Sequence, residues 1–175
     1  MLKYILLAVV LALAAVLIAA AFRPDTFRVE RAIRINAPAD RIYPLIDDFH
    51  RWTAWSPWEK RDPALKRDYS GAASGKGAVY AWEGNKDVGQ GRMEILEAVP
   101  PSRIVIKLDF LKPFEAHNTA EFTLQPVAGG SELRWAMHGP QPYLFKLMNL
   151  LFDMDKMVGK DFEAGLASIK AIAEQ

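Results

Sequence analysis

Between Leu65 and Gly139 apolar and polar residues alternate, and the alternation is cut at short intervals by turn signals at Ser70-Gly71, Gly75-Lys76-Gly77, Gly84-Asn85, Pro100-Pro101 and Gly129-Gly130. A period of two sends successive side chains to opposite faces of a strand, and short Gly/Pro breaks favour pairing between neighbours in sequence. The pattern predicts six antiparallel strands near residues 65–70, 78–83, 88–99, 102–110, 115–126 and 131–138, joined as a meander. On one face fall Tyr80, Trp82, Met93, Ile95, Ile104, Ile106, Leu108 and Phe110, continued by Asn118, Ala120, Phe122, Leu124, Leu133, Trp135 and Met137. The opposite parity carries Arg92, Glu94, Arg103, Lys107, Glu121, Glu132 and Arg134, so one side of the sheet is wet and the other needs a cover.

The end of the chain supplies that cover. From Tyr143 to Ala173, Leu144, Leu147, Leu151, Met154, Val158, Phe162, Gly165, Ile169 and Ile172 follow one stripe of a helical wheel, the length of most of a 30-residue helix. Gly165 lies inside the stripe. A glycine there costs about 1 kcal/mol relative to alanine, which predicts a close approach of helix to sheet. Ahead of the meander, Phe27, Val29, Ile33 and Ile35 alternate with polar residues as a further strand, in which Arg31 interrupts the apolar face. Ile42, Leu45, Ile46 and Phe49 then recur at helical spacing, and Trp52, Trp55 and Trp58 surround a short helix or turn.

The first 22 residues stand apart. Tyr4 to Phe22 is an uncharged apolar run, close to the ~20 residues that a helix needs to cross a bilayer. A single-pass membrane anchor over residues 1–22, followed by one domain over 23–175, is the direct reading. A cleaved signal peptide is the alternative, because Lys3 gives a basic start and Ala19-Ala20-Ala21 offers a small-x-small site. Arg23, Arg28, Arg31 and Arg34 follow the span and favour the cytoplasm by the charge rule, whereas a basic start before an apolar run is what export machinery reads. These signals conflict and leave the side of the membrane open, with a lean towards the external or periplasmic face.

Charge and composition exclude several chemistries. With Lys3 set apart, 21 Lys and Arg balance 21 Asp and Glu, so nothing supports a nucleic-acid partner bound through bulk positive charge. The chain has no cysteine, hence no disulfide and no thiol nucleophile. His50, His117 and His138 are scattered without ligand spacing, and Gly71 to Gly77 lacks the context of a phosphate loop, so neither a metal nor a cofactor is expected. The mixed charges from Glu59 to Arg67 read as a solvated loop.

Residues 26–174 resemble the START-like, or SRPBCC, superfamily, in particular its polyketide cyclase/dehydrase and lipid-transport branch. The resemblance rests on Val29 to Pro38 (VERAIRINAP), Asp48 to Pro57 (DFHRWTAWSP), Gly75 to Trp82 (GKGAVYAW) and Asp161 to Leu166 (DFEAGL). It implies an α+β helix-grip fold, an antiparallel sheet wrapped around a long C-terminal helix, with a cavity between them for a hydrophobic small molecule or lipid. The superfamily also includes ring cyclases and co-chaperones, so a cyclase/dehydrase-like enzyme and a protein-interaction domain stay open as alternatives.

Within that frame the expected ligand-binding side chains are Trp55, Tyr80, Trp82, Met93, Phe110 and Asn118, together with Phe122, Trp135, Met154, Val158 and Phe162. The aromatic members line a cavity or fill it, and the tryptophans near residue 55 either form its mouth or anchor a short helix. Asn118 is the expected polar group inside, able to meet one polar ligand atom or to be satisfied within the core. Candidates for acid–base chemistry are His117, Glu115, Asp109 and Tyr80, but strand parity puts His117 on the wet face, and no residue is assigned a catalytic role. Arg31 is expected to pair with an acid such as Asp155 rather than with a ligand carboxylate. The oligomeric state is not legible.

Overall fold

The computed structural model describes residues 1–175, except for the side chain of Leu151. The chain begins with helix α1 (Leu2–Ala21), whose central window has a mean hydropathy of 2.9 and is long and apolar enough to cross a membrane. Strand β1 (Thr26–Ile35) follows, then short helices α2 (Ala39–Ile42), α3 (Pro44–Asp47) and α4 (Trp52–Trp55), the last flanked by 3₁₀ turns at Phe49–Arg51 and Pro57–Lys60. The single helix expected from Ile42 to Phe49 is divided because Pro44 occupies a helix N-terminus, where its missing N–H costs nothing.

Six strands form the meander: β2 (Lys66–Gly71), β3 (Ala78–Glu83), β4 (Gln90–Val99), β5 (Arg103–Lys112), β6 (Ala116–Val127) and β7 (Gly130–Pro140). Each pairs antiparallel with the next, and β1 closes the far edge on β7, giving the order β1-β7-β6-β5-β4-β3-β2. The expected parity is realised. Ile95, Ile104, Ile106, Phe122 and Leu133 are at most 1% exposed on the inner face, while ion pairs such as Arg92–Glu94 and Arg103–Glu121 run across the outer one.

The C-terminal stripe is not one helix. It breaks at Phe152 and Asp153 into α5 (Tyr143–Leu151) and α6 (Met154–Ala173). Aspartate is a favoured N-cap because its carboxylate satisfies a free N–H of the first turn, and Asp153 accepts from the Lys156 N–H at 3.1 Å. The Asn149 amide oxygen accepts from the Met154 N–H at 3.1 Å. The two helices have different partners: α6 covers β1 and β7, whereas α5 packs against α1. Leu151, expected in the stripe, has its side chain outside the described residues.

Two glycines let α6 lie close. A Cβ on Gly165 would come within 2.9 Å of the Trp135 ring, the close approach expected from sequence. A Cβ on Gly159 would occupy the place of the Arg31 guanidinium. Arg31 reaches across α6 to donate to Asp155 at 2.9 and 3.1 Å and to Glu163 at 2.8 Å, so the acid pairing expected for it is present. Those carboxylates push its pKa further above the ordinary arginine range.

Candidate functional site

Between the inner face of the sheet and the first half of α6 lies a cavity of about 360 Å³. A water molecule occupies roughly 30 Å³ of liquid, so this space is far larger than an ordinary packing defect and falls in the size range of small-molecule pockets. Its walls are mainly apolar. Tyr80, Trp82, Met93, Leu108 and Phe110 come from β3 to β5, Ala120, Trp135 and Met137 from β6 and β7, and Met154, Val158 and Phe162 from α6. The exposed wall residues Arg61, Lys86, Asp87, Lys112, Pro113 and Met157 mark the mouth, between the segment ahead of β2, the β3–β4 and β5–β6 connections and the start of α6.

Eight of the side chains expected to meet a ligand therefore line this space: Tyr80, Trp82, Met93, Phe110, Trp135, Met154, Val158 and Phe162. Trp55, Phe122 and Asn118 do not. Trp55 is fully buried and its indole N–H donates to the Leu45 carbonyl at 2.7 Å, so it anchors α4. Phe122 is covered by the same helix, with Trp52 and Trp55 edge-on to it at 6.0 and 6.2 Å. Asn118 faces inward as its parity requires, but its amide oxygen fills the space beside Gly139. Parity selects a face; it does not say which stretch of that face is left uncovered.

The polar element of the wall comes from a segment expected to be solvated. Most of residues 59–67 is exposed and residues 61–65 form a connection, as expected, but Glu59 and Asp62 are buried rather than solvated. The Tyr80 hydroxyl donates to Glu59 at 2.6 Å, and the other carboxylate oxygen of Glu59 accepts from Arg67 at 2.7 Å. Burial, reinforced by its hydrogen bond to Glu59, pushes the Tyr80 hydroxyl well above the ordinary tyrosine range, so it stays protonated and serves as a donor. Glu59 in turn holds Arg67 above its ordinary value. The available sequence signal was Tyr80 itself, since an inward tyrosine needs an acceptor. Asp62 accepts from the Asn85 N–H at 2.7 Å and from the Ala64 N–H at 3.0 Å, which ties this segment to the β3–β4 connection and positions Lys86 at the mouth.

Trp135 is the other polar feature. It stacks on Phe162 with ring centroids 4.0 Å apart and planes 6° from parallel, yet its buried indole N–H has no acceptor among the described residues. Burying such a donor unpaired costs about 1–3 kcal/mol. Outside the cavity, His117 is exposed as expected and contacts Asp109 at 2.7 Å and Glu115 at 3.3 Å. Its bond to Asp109 raises the histidine pKa. At Asp109 burial works against ionisation, but hydrogen bonds from Lys107 and His117 prevail and keep the carboxyl below its usual range. Among the described residues no cluster of three or more His, Asp or Glu is placed to hold a metal ion.

A profile described as polyketide cyclase/dehydrase and lipid transport matches residues 26–174. Among solved structures, protein CV1439 from Chromobacterium violaceum is similar with a TM-score of 0.59 at 18% identity, covering 87% of this chain and 99% of its own. The di-domain ARO/CYC BexL from the BE-7585A biosynthetic pathway gives 0.64 at 18% identity over 90% of this chain, which spans 53% of BexL. The Aha1 dimer from Colwellia psychrerythraea gives 0.57 at 16% identity, covering 85% of this chain and 96% of its own. Comparison of the sequence with curated proteins finds no match. At these identities the neighbours establish the helix-grip fold, and the profile establishes kinship: the chain belongs to the polyketide cyclase/dehydrase and lipid-transport family of the START-like superfamily.

Proposed function

We propose that the protein is a membrane-tethered binding module, with residues 1–22 as the retained anchor and 23–175 as the domain that carries a hydrophobic small molecule or lipid. The observation that supports this most is the open apolar cavity of about 360 Å³. An interior serving only as a scaffold for protein contacts would be filled to ordinary core density. The ligand is flat or chain-like and apolar over most of its surface, flanked by Trp82, Trp135 and Phe162, with one polar atom near Tyr80. The Tyr80 hydrogen is already committed to Glu59, so the hydroxyl offers lone pairs and suits a ligand hydroxyl or amide N–H better than a carboxylate.

A cyclase-like enzyme is the second reading, favoured by the buried Glu59 beside Tyr80. Against it, both Glu59 oxygens are engaged by Tyr80 and Arg67, and a protonated tyrosine in such a pair positions rather than abstracts. The test is titration of the 23–175 fragment with a naphthalene-type apolar dye. Four tryptophans, at 52, 58, 82 and 135, line the cavity, so binding at about one dye per chain should transfer their emission to the dye. Val158→Trp should abolish the transfer and leave the unfolding midpoint almost unchanged. Equal transfer in the variant would place the dye elsewhere and sink the proposal.

A further inference from the structure

The junction between α1 and the domain is a mount rather than a tether. Only Phe22 to Asp25 separate α1 from β1, and three contacts bind this stretch and the end of α1 to the start of α5. The Gln141 N–H donates to the Asp25 carbonyl at 2.6 Å, Lys146 pairs with the Asp25 carboxylate at 2.5 Å, and the Tyr143 hydroxyl donates to the Leu17 carbonyl at 2.9 Å. Leu17 lies four residues before the end of α1, about 6 Å along the axis at the α-helical rise. If α1 spans, Tyr143 stands at the depth of the headgroup boundary, where tyrosine is favoured.

From Tyr143, α5 continues alongside α1 and turns exposed apolar side chains outward: Leu144 is 58% exposed and Met148 36%. Just past its end, Phe152 is 57% exposed and stands two residues before Met154 in the cavity wall. The α6 side and the β5–β6 side of the mouth also carry exposed apolar side chains, Met157 at 59% and Phe114, next to Pro113, at 58%, while Lys86, Asp87 and Lys112 supply charge at its rim, where long basic side chains can reach the headgroups. Such a patch in water is a liability unless something covers it.

We propose that the cover is the bilayer itself: α5 lies in the interfacial layer beside α1, and Phe152, Met157 and Phe114 dip into the same layer, so the cavity opens onto the membrane rather than into water. The direct bonding of α5 to the end of the anchor selects the occupant, because a surface fixed at the level of the last turns of a spanning helix meets lipid before any soluble partner. An amphipathic helix of this kind binds through its apolar face in the headgroup–acyl boundary. The inference rests on the anchor reading of α1 and adds an orientation to it. A ligand could then pass between bilayer and cavity without crossing water.

The absence of cysteine makes the test direct. Full-length protein carrying a single Leu144→Cys, Phe152→Cys or Phe114→Cys is labelled with an environment-sensitive NBD probe and reconstituted in vesicles of phosphatidylcholine and phosphatidylglycerol. Val10→Cys reports on the anchor. Val99→Cys, exposed at the opposite end of the β4–β5 hairpin and roughly 30 Å from Lys112 at strand rise, reports on water. Blue-shifted emission at 144, 152 and 114, most of it lost to lipids with a shallow nitroxide, together with unquenched water-like emission at 99, is the expected result. Water-like emission at 144 or 114 while Val10→Cys is quenched by a deep nitroxide overturns the orientation and leaves the anchor intact. Blue shift without lipid quenching means that protein, such as a second copy, covers α5, and also overturns it. An unquenched Val10→Cys shows that the anchor reading has failed, while the other three positions still report whether the surface binds lipid.

Discussion

Replacing Gly159 by alanine should destabilise this protein, although the same change in an ordinary helix stabilises. Gly159 lies inside α6, where alanine is favoured over glycine by about 1 kcal/mol. Here the new methyl would occupy the position of the Arg31 guanidinium. That group is the far end of a flexible side chain and can move, so the cost is the loss of what it holds: Asp155 by side chain and backbone, Glu163, and the Glu30 carbonyl at 2.8 Å. Asp155 and Glu163 are more than half exposed, which discounts the ionic bonds towards the value of surface pairs, and the set together is worth roughly 2–3 kcal/mol. The net expectation for Gly159→Ala is a loss of about 1–2 kcal/mol. In an Arg31→Ala background the obstacle is gone, and the same substitution should gain about 1 kcal/mol. Urea unfolding of the four members of this cycle, followed by circular dichroism with unchanged m-values, reads both signs and a coupling of about 2–3 kcal/mol. If Gly159→Ala stabilises equally in both backgrounds, the guanidinium does not lie across α6 and the account of how that helix docks is wrong.

Phe162→Ala removes a side chain 1% exposed that stacks on Trp135; it should cost about 3 kcal/mol, towards the lower end for phenylalanine because one side of the ring already faces open space. A loss below 0.5 kcal/mol on urea unfolding would refute it. The His117–Asp109 pair contributes stability in a defined window: the raised histidine pKa gives a contribution complete below its unfolded value of ~6.5 and lost as pH rises through the folded one, and the lowered aspartate pKa gives one present above ~4 and lost below it. His117→Ala should therefore lower the urea midpoint slightly at pH 5 and leave it unchanged at pH 9; the reverse order would contradict the assignment. Full-length protein should sediment with membranes and resist carbonate, while the 23–175 fragment stays in solution without vesicles; a mature chain beginning near Phe22 would establish a cleaved leader instead.

Much of this was legible because it follows from periodicity. Alternation sorted the meander into its faces from Tyr80 to Met137, and Arg31 on an apolar face implied an acid across it, which Asp155 supplies. Gly165 marked where α6 touches Trp135. What failed to show had no periodic signature. The Asp153 cap that divides α5 from α6 sits within an unbroken apolar stripe, and only the pairing of α5 with α1 explains why the stripe changes partners. Glu59 reads like its charged neighbours, and its burial arises from Tyr80, 21 residues away. Trp55 and Phe122 are inward like Trp82, but α4 covers one part of the sheet and leaves the other open, a matter of tertiary placement that no local pattern carries.

Native mass spectrometry of the 23–175 fragment, purified from cells without detergent, reads directly whether the cavity between sheet and α6 is a ligand site. The expected spectrum shows a fraction of the protein carrying one apolar molecule per chain, released by collisional activation and absent from Val158→Trp, whose added ring narrows the space lined by Met154 and Phe162. Only ligand-free protein, with no uptake when apolar small molecules or lipids are added at micromolar concentration, or the same adduct in Val158→Trp, would contradict the assignment of that space to a ligand.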